Sequence, residues 1–132
     1  MSDKGLVKEI WRRFRDSGWR SDLEHNAYSH TFEFSVDYGC GWEYVSYTLD
    51  NTEHGYCRVS YIGPDVIDFI RVVEALEFNK PCEFFWLDEP GEYHWFLLRK
   101  NEFVYVGAPG IEEGFYLYYD YFLSQLKRGS HR

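Results

Sequence analysis

The chain has 132 residues, of which 45% are hydrophobic and 27% charged, a balance typical of one folded domain and unlike that of a disordered chain. Its 14 basic and 22 acidic side chains leave a formal net charge of −8, which disfavours binding to nucleic acid or to anionic membranes. The 12 Tyr, 11 Phe and 5 Trp residues exceed what a core of this size needs, so we expect some aromatic rings at the surface.

The first element along the chain is an amphipathic helix, predicted over 5–16 and ending near Gly18. Apolar residues recur three and four positions apart, and charged residues occupy the opposite face. The apolar stripe consists of Leu6, Val7, Ile10, Trp11 and Phe14.

Three strands follow, predicted over 28–36, 42–50 and 56–62. From Tyr28 to Val36, apolar and polar residues alternate with a period of two, the pattern of a strand with one buried face. The next two segments are rich in aromatic and β-branched residues, and the polar residues between them have turn chemistry. Together they predict a three-stranded antiparallel meander.

The second half of the chain has a similar order of elements, with one more helix at its end. Its residue pattern predicts a helix over 64–78, strands over 82–88, 93–99 and 102–107, a closing helix over 115–127 and a polar tail over 128–132. Pro64 and Asp65 suit the N-terminus of a helix, and Pro81 would end it. The turns between these strands are short, so the strands they join must be antiparallel neighbours.

The element order α-βββ-α-βββ-α favours a single α+β domain over 1–132. We expect an antiparallel sheet with helices packed on one face or at its ends. A parallel doubly wound fold would need a helix between most strands, and the sequence provides none there.

Motifs of known enzyme and cofactor sites are missing from the sequence. It has no phosphate loop, dinucleotide fingerprint, nucleophile elbow or HExxH zinc site. The three cysteines have no CxxC spacing, which favours reduced thiols over disulfides or zinc; Cys40, between two glycines, is the one to test for reactivity. We therefore expect no cofactor, no metal, no catalytic residue and no enzymatic activity.

The N-terminal residues lead directly into the predicted helix and contain no apolar leader segment, and no long apolar run follows. We therefore expect the protein to be cytoplasmic and not membrane-bound.

An acid–base site without a motif is left open by the sequence. Strands could bring His30, Glu33, Glu43 and His94 into one cleft with a pocket of surplus rings, giving a small-ligand-binding or enzymatic α+β domain. The simpler interpretation is that the two glutamates face water and that the two histidines are hydrogen-bonded strand residues.

A different pattern places acidic residues among aromatic rings in three loops. Rings supply desolvated contact area and carboxylates attract Lys and Arg, which is recognition chemistry for a basic protein surface. The simpler interpretation is that these acids only make the turns soluble. The predicted partner-binding residues are Asp37, Tyr38, Glu43, Asp88, Glu89, Glu92, Glu112 and Glu113.

The run from Phe85 to Trp95, FWLDEPGEYHW, together with the hairpin strand and aromatic helix that follow it, resembles small immunity proteins encoded beside bacterial polymorphic toxins. These include the immunity proteins of contact-dependent growth inhibition systems.

The resemblance covers mainly Cys82 to Leu126 and does not single out one immunity family. It implies a cytosolic, non-enzymatic protein that binds a cognate toxin domain and blocks it. Such toxins are often basic nucleases, which agrees with a net charge of −8. An adaptor module without a toxin is the remaining alternative.

Overall fold

A computed structural model describes residues 30–39, 42–59, 65–87, 92–111 and 114–130. Over these residues the fold is α+β, as predicted, with two helices and two antiparallel sheets of three and four strands. The helix predicted over 5–16 lies outside the described residues. The expectation of one sheet is wrong, because the strands divide between two sheets.

The three-stranded sheet contains β1 (Phe32–Tyr38), β2 (Trp42–Leu49) and β3 (Thr52–Val59), in that order. Buried and exposed residues alternate along β1, as its sequence predicts. The third strand begins at Thr52 rather than near 56, because Asp50 and Asn51 alone make the turn. Both have positive φ, 50° and 71°, which a two-residue hairpin turn requires and which Asp and Asn tolerate better than most residues.

Helix α1 (Val66–Glu74) follows this sheet and is shorter than the predicted 64–78. The Asp65 carboxylate accepts a hydrogen bond from the Asp68 N–H, and the Asp68 carboxylate accepts one from the Asp65 N–H, which fixes the start of the helix. Beyond the helix, Phe78 forms a bridge with Arg99 of the second sheet. The residues after Glu74 therefore leave the helix to reach that sheet.

The four-stranded sheet contains β4 (Cys82–Leu87), β5 (Glu92–Lys100), β6 (Phe103–Gly107) and β7 (Phe115–Tyr118), followed by helix α2 (Tyr119–Gly129). The prediction of a helix from 115 is wrong for its first turn. Phe115 pairs with Val106 and Leu117 with Val104, so these residues form a seventh strand instead. Burying both side chains against the core outweighs the helical spacing of the aromatic residues.

One hydrophobic cluster includes residues from both sheets and both helices. At its centre, the fully buried Trp95 indole packs against Phe34, Tyr47 and Phe69, with ring centroids 6.4, 5.3 and 5.0 Å away. Burial of such large apolar rings is the main favourable contribution to folding. The core therefore holds the three-stranded sheet against the four-stranded one. The opposite face of the smaller sheet is not part of this core.

Helix α2 runs along the free edge of β1. The Tyr121 hydroxyl accepts a hydrogen bond from the Phe32 N–H at 2.9 Å and donates one to the Phe32 carbonyl at 3.0 Å. Farther along, the Tyr38 hydroxyl donates to the Ser130 carbonyl. The helix thus satisfies polar backbone groups that would otherwise be open to strand pairing with another chain.

Candidate functional site

The face of the three-stranded sheet that points away from the core carries a set of acidic side chains. Strand register places Glu33, Thr48 and Glu53 in one row across β1, β2 and β3, and Asp37 opposite Tyr44 in another row. We call these five residues the acidic face. All three of its carboxylates are exposed, whereas Tyr44 and Thr48 are half-buried.

The negative charges of the acidic face are spaced across it rather than clustered at one point. Glu33 and Glu53 both flank Thr48, one from each neighbouring strand, which separates their Cα atoms by roughly 10 Å. Asp37 lies four residues along β1 from Glu33, or roughly 13 Å. These distances exceed the screening length of about 8 Å at physiological ionic strength, so the carboxylates repel one another only weakly.

Basic side chains are missing from the described part of this face. The other strand residues of this sheet face whose side chains are described are Ser35, Ser46 and Gly55, so among these side chains no Lys, Arg or His compensates the three carboxylates. Three acids and no base among the described side chains give this part of the face a net negative charge, which attracts cations. Such a surface is suited to contact a cationic partner.

Tyr44 supplies the aromatic part of the face. A Cβ atom on Gly55 would lie only 2.0 Å from the Tyr44 hydroxyl and 2.5 Å from ring carbon Cζ, so the ring occupies the space that a side chain at position 55 would need. Gly55 therefore allows the Tyr44 ring to lie across β3 beside the carboxylates. The sequence did not single out Glu53, because the third strand was predicted to start at 56. On the second strand it pointed to Glu43 rather than Tyr44, because the side that each residue faces depends on strand register.

Three of the predicted partner-binding residues have described side chains. Asp37 is exposed on the acidic face, as the prediction requires. Tyr38 is half-buried and points to the opposite, core-facing side, where its hydroxyl bonds to Ser130. The expectation that Glu43 faces solvent is wrong, because it pairs with Tyr38 on that same side and is 4% exposed.

The other predicted contacts fall mainly outside the described residues. This applies to the four loop acids Asp88, Glu89, Glu112 and Glu113, whereas the backbone of Glu92 begins β5. They stay predictions.

The start of the loop between β6 and β7 is held against the smaller sheet. The buried Tyr47 hydroxyl donates to the Pro109 carbonyl, and burial raises the pKa of this phenol, which keeps the proton needed for donation. Gly110 follows with φ +93° and lies against the His54 ring. The contact therefore joins this loop to β2 and β3.

The four residues considered for an acid–base cleft do not converge. Glu33 and Glu43 lie on opposite faces of the same sheet. His94, which is 7% exposed, lies in the four-stranded sheet, where its Nδ1 is 3.0 Å from the Glu83 carboxylate. The prediction of hydrogen-bonded strand histidines is thus confirmed for His94.

His30 forms a separate hydrogen bond with Asp50 near the β2–β3 turn. Its Nδ1 lies 2.7 Å from an Asp50 carboxylate oxygen, and the other oxygen accepts the Thr31 N–H at 2.9 Å. Partial burial would raise the pKa of Asp50, but the hydrogen bonds from His30 and Thr31 outweigh it and hold this pKa below its ordinary value. The pair ties the start of β1 to the hairpin turn.

Within the described ranges, no group of three or more His, Cys, Asp or Glu side chains is arranged to hold a metal ion. Neither helix of the described chain has the length and apolar character needed to cross a membrane. Compared with known proteins, the chain matches no family model, no curated protein and no solved structure.

Proposed function

We propose that this protein is an immunity protein that binds a cognate bacterial toxin domain and neutralises it, with the acidic face contacting a basic surface of the toxin. The observation that carries the proposal is the set of exposed carboxylates at Glu33, Asp37 and Glu53 on the same sheet face as Tyr44, with no basic residue among the described side chains of that face. The resemblance of Phe85–Trp95 to immunity proteins supports the toxin as the partner.

The chemistry of the face fits binding that begins with electrostatic attraction. Three exposed carboxylates on a chain of net charge −8 raise the rate at which a cationic protein approaches and orients. The Tyr44 ring then provides rigid contact area with little loss of side-chain entropy. A flat strand surface suits a second folded protein better than it suits a small molecule, which needs a concave site.

A co-expression experiment tests the function. The C-terminal domain of the protein encoded by the neighbouring upstream gene is produced in cells with and without this chain. We expect growth to stop when the domain is produced alone and to continue when the chain is present. Growth arrest in both cases contradicts neutralisation, and a neighbouring protein without a basic C-terminal domain contradicts the proposed partner.

Charge substitutions then test the face. In the Glu33→Gln, Glu53→Gln variant, we expect association with the purified toxin domain to slow by roughly tenfold at low salt, because long-range attraction governs the encounter. The control is Glu74→Gln, Glu77→Gln, which removes the same number of exposed charges near α1, there paired with Lys127 at 3.5 Å and Lys80 at 3.1 Å. Equal rates for both variants would show that only net charge matters and would reject the acidic face as the interface.

A further inference from the structure

A cavity of about 540 Å³ opens beside the start of α2 and uses none of the residues of the acidic face. It is formed by the segment after α1, the end of β5 with its turn into β6, and the first turn of α2. Its volume lies within the range of small-molecule sites. The lining residues are Phe78, Asn79, Arg99, Asn101, Glu102, Tyr119 and Asp120.

The guanidinium group of Arg99 packs over two aromatic rings that line this cavity. Its Cζ lies 4.4 Å from the ring centroid of Phe78 and 3.8 Å from that of Tyr119. Tyr119 is itself fixed, since its hydroxyl donates to the Val73 carbonyl at 2.7 Å. A ring that packs over Cζ contacts the flat face of a guanidinium group, so the N–H groups along its edge remain for hydrogen bonds.

Both signs of charge line the cavity without neutralising each other. Among the described residues Arg99 forms no ion pair, and its buried Nε has no hydrogen-bond partner. Glu102 and Asp120 are exposed and likewise form no ion pair within the described chain. A cation and two anions that line one cavity without forming an ion pair are complementary to a ligand that carries both a negative and a positive group.

We propose that this cavity binds a small zwitterion, a free α-amino acid with an apolar side chain. The ligand carboxylate would accept paired hydrogen bonds from the Arg99 edge, which matches its planar geometry. The ligand ammonium would lie toward Glu102 and Asp120. Phe78, 56% exposed, offers an apolar surface for the ligand's side chain.

The two carboxylates also select against other anions. A phosphate dianion would meet Arg99 but would be repelled by Glu102 and Asp120. The C-terminal residue of a peptide keeps the carboxylate but has no ammonium group, so it would lose the attraction of the same two acids. A free amino acid satisfies both halves of the cavity at once.

The test is a titration of the whole chain with L-phenylalanine, in which binding is measured from the NMR chemical shifts of the backbone amides. We expect saturable shifts at Asn79, Asn101 and Asp120, which line the cavity. N-acetyl-L-phenylalanine, which represents a peptide C-terminus, and L-phenylalanine amide, which lacks the carboxylate, should each bind at least tenfold more weakly. Inorganic phosphate should not produce these shifts.

Two variants with matched controls test whether Arg99 and Phe78 bind the amino acid. Arg99→Lys keeps the charge but loses the planar edge, and Phe78→Ala removes an exposed ring; each should weaken binding at least tenfold. Arg71→Lys and Ile67→Ala, exposed changes on α1, should leave it unaltered. Three results would each overturn the proposal. They are an absence of saturable shifts in the parent protein, equal binding of the N-acetyl compound, and unaltered binding by the Phe78→Ala variant.

Discussion

The two sheets differ in how many of their faces are buried. The three-stranded sheet buries one face in the core and exposes acids on the other. The four-stranded sheet buries its core face and much of the opposite face as well, where Phe96, Leu98, Tyr105 and Tyr116 are all less than 9% exposed. Among the described residues, exposed polar side chains are therefore concentrated on the outward face of the smaller sheet, which is the face that we propose as the partner contact.

This difference is visible in the residue patterns of the strands. Along β1, every second residue is polar, so that only one face can be buried. Along β5, the run Trp95–Phe96–Leu97–Leu98 is apolar at four successive positions and is buried at all four. Alternation thus indicates a sheet face that is free for function, and a continuous apolar run indicates a sheet that is enclosed.

The largest effect on stability is expected at the contact between the two sheets. Trp95→Ala would remove the indole that packs on Phe34 and Tyr47, and we expect a loss of about 3–5 kcal/mol in the free energy of unfolding. Urea denaturation measures this loss, with Glu33→Gln as a surface control that changes stability by less than about 0.5 kcal/mol. A loss below about 1 kcal/mol for Trp95→Ala would contradict a shared core.

A smaller effect distinguishes the outward faces of the two sheets. Leu98→Ala, on the face of the larger sheet opposite the core, should cost about 2–3 kcal/mol because the side chain is 6% exposed. Ser35→Ala, on the exposed face of the smaller sheet, should cost less than about 0.5 kcal/mol. Similar losses in both variants, measured by urea denaturation, would remove the contrast between the sheets.

The sequence predicted the fold class and most strands because alternation and turn chemistry are local signals. It failed at Phe115–Tyr118, where aromatic residues fit both a helical stripe and a strand. The choice depends on pairing with β6, a contact that no local pattern records. The division into two sheets likewise depends on contacts between distant segments, such as the packing of Trp95 on Phe34 and Tyr47, rather than on any single segment.

The candidate site was predicted only in part for a similar reason. Asp37 could be identified from its position beside aromatic residues, but whether a strand residue faces core or solvent depends on register. Glu43 pairs with Tyr38 on the core-facing side, so a shift of one residue would have exposed it. The cavity at Arg99 joins three separated segments and left no pattern in the sequence.

The support that α2 gives to the edge of the smaller sheet provides a third, weaker test. Tyr121→Phe removes the hydroxyl that bonds both the Phe32 N–H and its carbonyl, and should cost about 1–2 kcal/mol in thermal or urea unfolding. The control Tyr118→Phe alters a hydroxyl on a side chain that is 37% exposed and should have little effect. Equal costs would mean that the edge does not depend on this helix.

The smallest effect concerns the turn that ends the exposed sheet. Hydrogen bonds from His30 and Thr31 hold the pKa of Asp50 below its unfolded value, so the folded state binds this proton less readily. Asp50 therefore contributes stability above the unfolded pKa of about 3.9, and that contribution decreases as pH falls through the lower folded value. Because the pair is partly exposed, it is worth less than about 1 kcal/mol. Asp50→Asn keeps a residue that tolerates the positive φ but cannot titrate, so the stability difference between parent and variant should narrow from pH 6 to pH 2.5 in urea unfolding curves. If the difference in unfolding free energy stays constant over that range, Asp50 does not contribute to the acid sensitivity of the protein. If the difference widens as pH falls, the pKa of Asp50 is raised by folding rather than lowered.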